Sequence, residues 1–86
     1  MRYEIFADRR IQVIDIDDVG GEHVLEFVDP NVDPDGAVLA VYSVSNDWSR
    51  ARVSISPKVE DVSVEFMSWA LQIAQRTFSA PGTDGA

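Results

Sequence analysis

Only one segment of this chain has a sustained helical periodicity, and it lies near the C-terminal end of the sequence. The segment spans residues 61–79. At about 100° per residue, its apolar side chains, including Phe66 and Ile73, fall on one stripe. Either Asp61 or Ser63 can cap the first turn, because both side chains accept hydrogen bonds from free backbone N–H groups. The sequence therefore predicts one amphipathic helix over residues 61–79.

The apolar surface of this predicted helix is wider than a single contact with a core requires. It extends over roughly 220°, whereas a stripe of roughly 100° is enough for a helix on one face of a domain. One explanation is that strands and loops cover the helix on more than one side. The other is that one helix edge binds another protein, such as a second copy of this chain. That edge comprises Met67, Leu71 and Phe78.

The rest of the chain consists of strand-like segments separated by turn-forming residues. Alternating or continuously apolar residues predict strands at residues 2–7, 10–16, 22–28, 37–44 and 50–56. Short connections favour antiparallel pairing of consecutive strands. The sequence therefore predicts an α+β domain, in which a five-stranded antiparallel meander carries one C-terminal helix on one face.

The second predicted strand has apolar residues of both parities. Ile11 and Val13 point to one face, and Ile14 and Ile16 point to the other. Either a bulge near Val13 or Ile14 or partial cover of both faces would accommodate this pattern. One long bent strand in place of the first hairpin is a further alternative. The last strand alternates cleanly, which predicts that its apolar residues point inward: Ala51, Val53 and Ile55.

The chain has 86 residues, enough for one domain. We expect this domain to comprise residues 1–79 and residues 80–86 to form a mobile tail. There is no cysteine, which excludes disulfides and thiolate metal sites. No apolar run approaches the roughly 18 residues of a membrane helix, and the first residues do not resemble a signal peptide. We therefore expect a cytoplasmic protein without membrane contact.

The negative charge of the chain is concentrated in its middle. The formal net charge is -8, and no Lys or Arg lies between Arg10 and Arg50. Direct binding of nucleic acid is disfavoured, because contacts with phosphates need clustered Lys and Arg side chains. A basic protein is the partner that this charge favours.

If the second and third strands pair in the right register, their alternation places Asp15, Asp17, Glu22 and Glu26 near one another on a solvent-exposed face. Trp48, in a connection between strands, either anchors an interface or caps an edge of the core. We therefore expect the following residues to bind a partner: Asp15, Asp17, Asp18, Glu22, Glu26 and Trp48.

Residues 29–36 resemble the beginning of a calcium-binding loop. Asn31, Asp33 and Asp35 alternate ahead of a glycine, as they do in such loops. However, the twelfth position is Tyr42, which cannot supply the bidentate carboxylate. A hairpin connection is the simpler interpretation, and a weak calcium site is an alternative.

The sequence offers little support for catalysis. His23 is the only histidine, so a conventional zinc site cannot form, and its parity with Leu25 and Phe27 predicts a partly buried core residue. Neither a nucleophile elbow nor a phosphate-binding glycine loop is present. We expect no enzyme activity, no cofactor and no metal.

The favoured hypothesis is a small acidic protein-interaction module, in particular an inhibitor or immunity-type protein. It would bind a basic partner such as a nuclease or a nucleic-acid-binding protein. The alternatives are a self-associating subunit that uses the apolar helix edge, and a weak calcium-binding module.

Overall fold

A computed structural model describes residues 1–17 and 20–78 of the chain. Its elements, in chain order, are β1 (Arg2–Phe6), β2 (Arg9–Asp17), β3 (Glu22–Val28), β4 (Leu39–Val44), a 3₁₀ turn (Trp48–Arg50), β5 (Arg52–Ile55) and α1 (Val64–Phe78). The strands form one antiparallel sheet in the order β1-β2-β3-β4-β5. The predicted α+β meander with one C-terminal helix is confirmed. The predicted tail at residues 80–86 lies outside the described residues.

The first two strands form the predicted hairpin. Phe6 pairs with Arg9, and the two connecting residues, Ala7 and Asp8, have φ values of 50° and 67°. Positive φ at both central residues produces a turn whose twist matches the right-handed twist of the two paired strands. The pairing of β2 with both neighbours continues without an extra residue, so β2 contains no bulge.

The core lies between α1 and one face of the sheet. The helix buries Phe66, Ala70, Ile73, Ala74 and Phe78, and the sheet buries Ile11, Val13, Leu25, Phe27, Leu39 and Val41. These sheet residues alternate along β2, β3 and β4, so they share the face that carries the helix. We call it the helix face and the opposite side the open face.

Strand β5 is less covered than its alternation predicts. Val53 pairs with buried Val41 and Ile55 pairs with buried Leu39, so both point to the helix face. Their side chains are nevertheless 39% and 43% exposed. The inward orientation agrees with the prediction, but both side chains stay partly exposed because α1 packs on the central strands and leaves this edge uncovered.

No helix in the part of the chain that the structure describes is long and apolar enough to cross a membrane.

Candidate protein-interaction surfaces

The register of β2 with β3 separates the acids that were expected to share one face. Asp15 pairs with Leu25 and Asp17 pairs with His23, so both aspartates lie on the helix face. Glu22 and Glu26 have the opposite parity and lie on the open face. The expected single acidic face is therefore corrected to two separate pairs. Asp18, also expected to bind a partner, lies outside the described residues.

The open face of the sheet carries more apolar side chains than its strand patterns suggested. Ile5, Ile16 and Val44 are 62%, 41% and 44% exposed there. Strand pairing assigns the following described residues to this face: Tyr3, Ile5, Arg10, Gln12, Ile14, Ile16, Glu22, Val24, Glu26, Val28, Ala40, Tyr42, Val44, Arg52 and Ser54. Exposed apolar side chains grouped on one face of a sheet are typical of a protein-binding surface.

Charges on the open face have a simple arrangement. Both carboxylates, Glu22 and Glu26, lie on the central strand β3 among apolar neighbours. The two bases lie nearer the edges, where Arg10 covers the Tyr3 ring at 4.2 Å and Arg52 lies on β5. Among residues 1–17 and 20–78, neither glutamate forms a salt bridge. The open face thus carries its acids on the central strand and its bases nearer the edges.

The predicted helix edge is only partly exposed. Phe78 is completely buried, with its ring centroid 5.0 Å from His23 and 6.4 Å from Trp48. The assignment of Phe78 to an exposed edge is wrong, because the last turn of α1 covers the ends of β3 and β4. Met67 and Leu71 remain half-buried and line a shallow groove. Trp48 is half-buried and stacks on Phe78, so it packs against the core's edge.

A cluster centred on His23 joins the ends of three segments. One imidazole nitrogen, Nε2, contacts the Asp15 carboxylate, and the other, Nδ1, contacts the Asn46 side-chain oxygen. Burial lowers the pKa of His23, but its hydrogen bonds to Asn46 and Asp15 and the charges of Asp15 and Asp17 outweigh this effect. The pKa is raised above 6.5 as a result. A protonated ring can donate from both nitrogens to these two oxygens.

This cluster does not have the geometry of a nucleophile and its base. Ser43 pairs with His23 across β3 and β4, but its hydroxyl donates to the backbone carbonyl of Asp47. Both ring nitrogens of His23 already have partners in Asp15 and Asn46. The arrangement therefore tethers the turn after β4 to the sheet.

A second polar feature lies at the other end of the sheet, beside the start of α1. The Asp29 carboxylate is buried and accepts from the Arg9 guanidinium, with a shortest N–O distance of 2.8 Å. These two residues, together with Phe6, Phe66 and Asp61, line an open cleft of about 400 Å³.

Two carboxylates of the 29–36 loop accept hydrogen bonds from within the loop. Asp29 accepts from the backbone N–H of Asn31 at 3.1 Å, and Asp33 accepts from that of Asp35 at 3.0 Å. These are the hydrogen bonds of local turns. Across the described ranges, 1–17 and 20–78, no three acidic or histidine side chains converge as metal ligands do.

The open face is the surface that sequence reasoning missed. The second parity of Ile14 and Ile16, with Val24 between two glutamates, was the signal for it. Tyr42 and Val44 belong to a continuously apolar strand, whose two faces cannot be distinguished by pattern alone.

Searches against protein-family models, curated proteins and solved structures find no match for this chain.

Proposed function

We propose that this protein is a small acidic protein-interaction module that binds a basic protein partner through the open face of its sheet. The observation that carries the proposal is the exposed apolar patch on this face, with Glu22 and Glu26 on its central strand. The partner would present an apolar surface with Lys or Arg side chains placed to meet these carboxylates. The proposed setting is the cytoplasm.

The dimensions of the open face suit such a complex. Five strands spaced about 4.8 Å apart make a sheet roughly 20 Å wide, and five or six residues along a strand make it about as long. A face of this size covers roughly 400 Å² on each partner, about half of a standard interface, which is typical of a small, transient complex. Its apolar centre would provide contact area, while the two glutamates would speed association and select for basic partners.

The charges on β3 favour a basic partner over a second copy of the chain on this face. Any two-fold axis through the middle of the face would place β3 over β3 of the other copy. Glu26, one residue from the middle of β3, would then lie close to Glu26 of that copy, and like charges in a desolvated interface are strongly unfavourable. A partner with bases at its centre avoids this repulsion.

We further propose that the module inhibits its basic partner. Nucleases and other nucleic-acid-binding proteins expose Lys and Arg side chains that normally contact phosphates. A module that places Glu22 and Glu26 against such bases would compete with the nucleic acid. The role is one of binding rather than catalysis, in keeping with the occupied ring nitrogens of His23.

The experiment compares two charge-matched double variants. Glu22→Gln with Glu26→Gln alters the open face, whereas Glu60→Gln with Glu65→Gln removes the same charge from exposed positions outside it. Each immobilised protein captures partners from a native lysate at low salt, followed by elution with a salt gradient and mass spectrometry. We expect a basic protein that the wild type and the Glu60/Glu65 variant retain and the Glu22/Glu26 variant loses.

Equal capture by both double variants would contradict the proposal. Light scattering on the purified protein distinguishes the alternatives. A dimer that forms regardless of salt and is disrupted by Leu71→Lys would support self-association through Met67 and Leu71. Inhibition is tested on the captured basic protein. If the module is an inhibitor, added nucleic acid should compete for that protein and release it from the immobilised module.

A further inference from the structure

Strand β5 is an edge of the sheet with free backbone hydrogen-bonding groups. Within the described residues its one strand neighbour is β4. The Ser56 N–H donates to the Val38 carbonyl at 2.9 Å, which makes these two residues a hydrogen-bonded pair. Because such pairs alternate along an antiparallel ladder, the N–H groups of Val53 and Ile55 point away from β4. The outer side of β5 therefore offers donors and acceptors at these two residues.

Exposed apolar side chains lie beside this edge on the helix face. Val53 and Ile55 point to that face and are 39% and 43% exposed. On the helix, Trp69 contacts Phe6 of β1, and the residues about 160–220° away from Trp69 lie on the side toward β5. These residues include Val64, Met67 and Leu71, which line a shallow groove of about 470 Å³ on the helix itself.

The charge around β5 differs from that of the rest of the molecule. Arg50, Arg52 and Lys58 lie within or next to the strand, and all three are exposed. They represent three of the seven bases in a chain of net charge -8. Acids resume with Glu60 and Asp61, and Asp61 lines the cleft beside Arg9.

We propose that β5 binds an extended acidic segment of another protein, which adds to the sheet as a sixth strand. Its main chain would bond to Val53 and Ile55, and its apolar side chains would pack against the exposed side chains of these two residues. Its acidic side chains would meet the three bases. This surface shares Arg52 with the rim of the open face but is otherwise separate from it, and the proposal does not depend on the function proposed for the open face.

The same bases disfavour a second copy at this edge. Antiparallel pairing of β5 with β5 of another copy, with Val53 opposite Ile55, would bring Arg50 opposite Lys58 of that copy. An acidic segment instead gains from these charges at short range. Its repulsion from the acidic remainder of the chain is limited, because exposed charges beyond about 8 Å are largely screened at physiological ionic strength.

The test uses a labelled, blocked hexapeptide in which valine alternates with glutamate, and a control peptide in which valine alternates with lysine. Fluorescence anisotropy measures binding of each peptide to the full chain. We expect the glutamate peptide to bind and the lysine peptide to bind at least several-fold more weakly. In amide exchange measured by NMR, Val53 and Ile55 should become protected when the glutamate peptide is present.

Two variants examine separate parts of the proposal. Val53→Pro removes an outward N–H without removing a ladder bond, as proline on an edge strand can. It should weaken binding roughly tenfold or more, whereas Val53→Thr, which keeps the N–H, should weaken it far less. Arg50→Gln with Arg52→Gln leaves the backbone unchanged and should reduce binding of the glutamate peptide several-fold.

Equal affinity for both peptides, or binding unaffected by the Arg50/Arg52 variant, would overturn the proposal. Failure of the glutamate peptide to bind would also overturn it and would show that the bases only protect the edge from unwanted pairing. Circular dichroism confirms that each variant is folded. Capture of a basic protein through Glu22 and Glu26 should be unaffected by Val53→Pro, which separates this test from that of the open face.

Discussion

A single histidine connects three parts of the molecule at the end of the sheet where α1 finishes. His23 on β3 contacts Asp15 on β2 and Asn46 in the turn after β4, and Phe78 of the helix packs on its ring. Asn46 has a φ of 59°, a left-handed conformation that asparagine tolerates better than most residues. The imidazole thus holds a turn with an unfavourable backbone conformation against the sheet.

The raised pKa of His23 predicts a pH-dependent stability with a definite sign. The protonated ring is favoured in the folded state, so its contribution is fully present below the unfolded pKa of 6.5. It is lost as the pH rises through the higher folded pKa. We therefore expect the melting temperature to fall as the pH increases from 6.5 upward, as measured by circular dichroism.

The control for this pH dependence is His23→Gln. His23 is the only histidine, so the variant should lose the dependence in this pH range. Asp15→Asn should move the decline to lower pH, because it removes a negative charge that raises the pKa of His23 and leaves only a neutral amide oxygen as the acceptor. A wild-type melting temperature that rises between pH 6.5 and 8 would contradict the assignment.

Asp29 is the buried carboxylate on which the other end of the sheet depends. It is 1% exposed, with Arg9 on one oxygen and the Asn31 N–H on the other. Asp29→Ala would leave both donors without this acceptor. Because the Arg9 side chain is 35% exposed and can regain water, we expect a loss of about 2–3 kcal/mol in urea denaturation, below the value for a fully buried pair.

Asp35→Ala provides the comparison for Asp29. Asp35 is exposed and lies in the same loop, so its replacement should change the free energy of unfolding by about 0.5 kcal/mol or less. Similar effects of the two substitutions would show that the Arg9–Asp29 contact contributes little to stability.

The start of α1 shows how an element's boundary is decided by one hydrogen bond. Two residues, Asp61 and Ser63, were equally good caps by sequence. In the structure the helix begins at Val64, and the Ser63 hydroxyl oxygen accepts from the Phe66 N–H at 3.0 Å. Ser63→Ala should therefore cost about 1 kcal/mol of unfolding free energy. Asp61→Ala should cost about 0.5 kcal/mol or less, through the helix dipole alone. A larger effect for Asp61 would identify it as the cap.

The strands and their order followed from residue alternation and short connections, whereas the placement of charges did not. A shift of one residue in pairing moves every side chain of a strand to the opposite face. The pairing of Asp15 with Leu25 could not be determined from β2, because Ile14 and Ile16 are as apolar as Ile11 and Val13. The predicted acidic face therefore depended on a register that the sequence left undetermined.

Packing across the sheet also determined what helical periodicity could not. Phe78 and Leu71 both belong to the broad apolar arc of α1, yet Phe78 is buried and Leu71 is half-buried. The difference arises because Phe78 meets His23 and Trp48, which are distant in sequence. A single-helix pattern shows which side chains are apolar, but it does not show which strands lie beneath them.

For the whole molecule, the net charge of -8 has opposite consequences for folding and for binding. Compact folding brings the excess carboxylates together, and their repulsion destabilises the folded state at low salt. Raising the ionic strength from about 0.01 M to about 0.15 M shortens the screening length from about 30 Å to about 8 Å. We expect the melting temperature to rise over this range, whereas affinity for the proposed basic partner should fall.

The Glu22/Glu26 double variant makes this contrast specific to a surface. Removing two negative charges should reduce the salt-dependent gain in melting temperature, and the Glu60/Glu65 variant should reduce it to a similar extent, because long-range repulsion depends mainly on total charge. Only the Glu22/Glu26 variant should weaken partner binding and its salt dependence together. A melting temperature that falls with salt would mean that local ion pairs such as Arg9–Asp29 outweigh the repulsion. The acidic character of the chain would then be a local feature of its contacts, and long-range attraction of a basic partner would lose its physical basis.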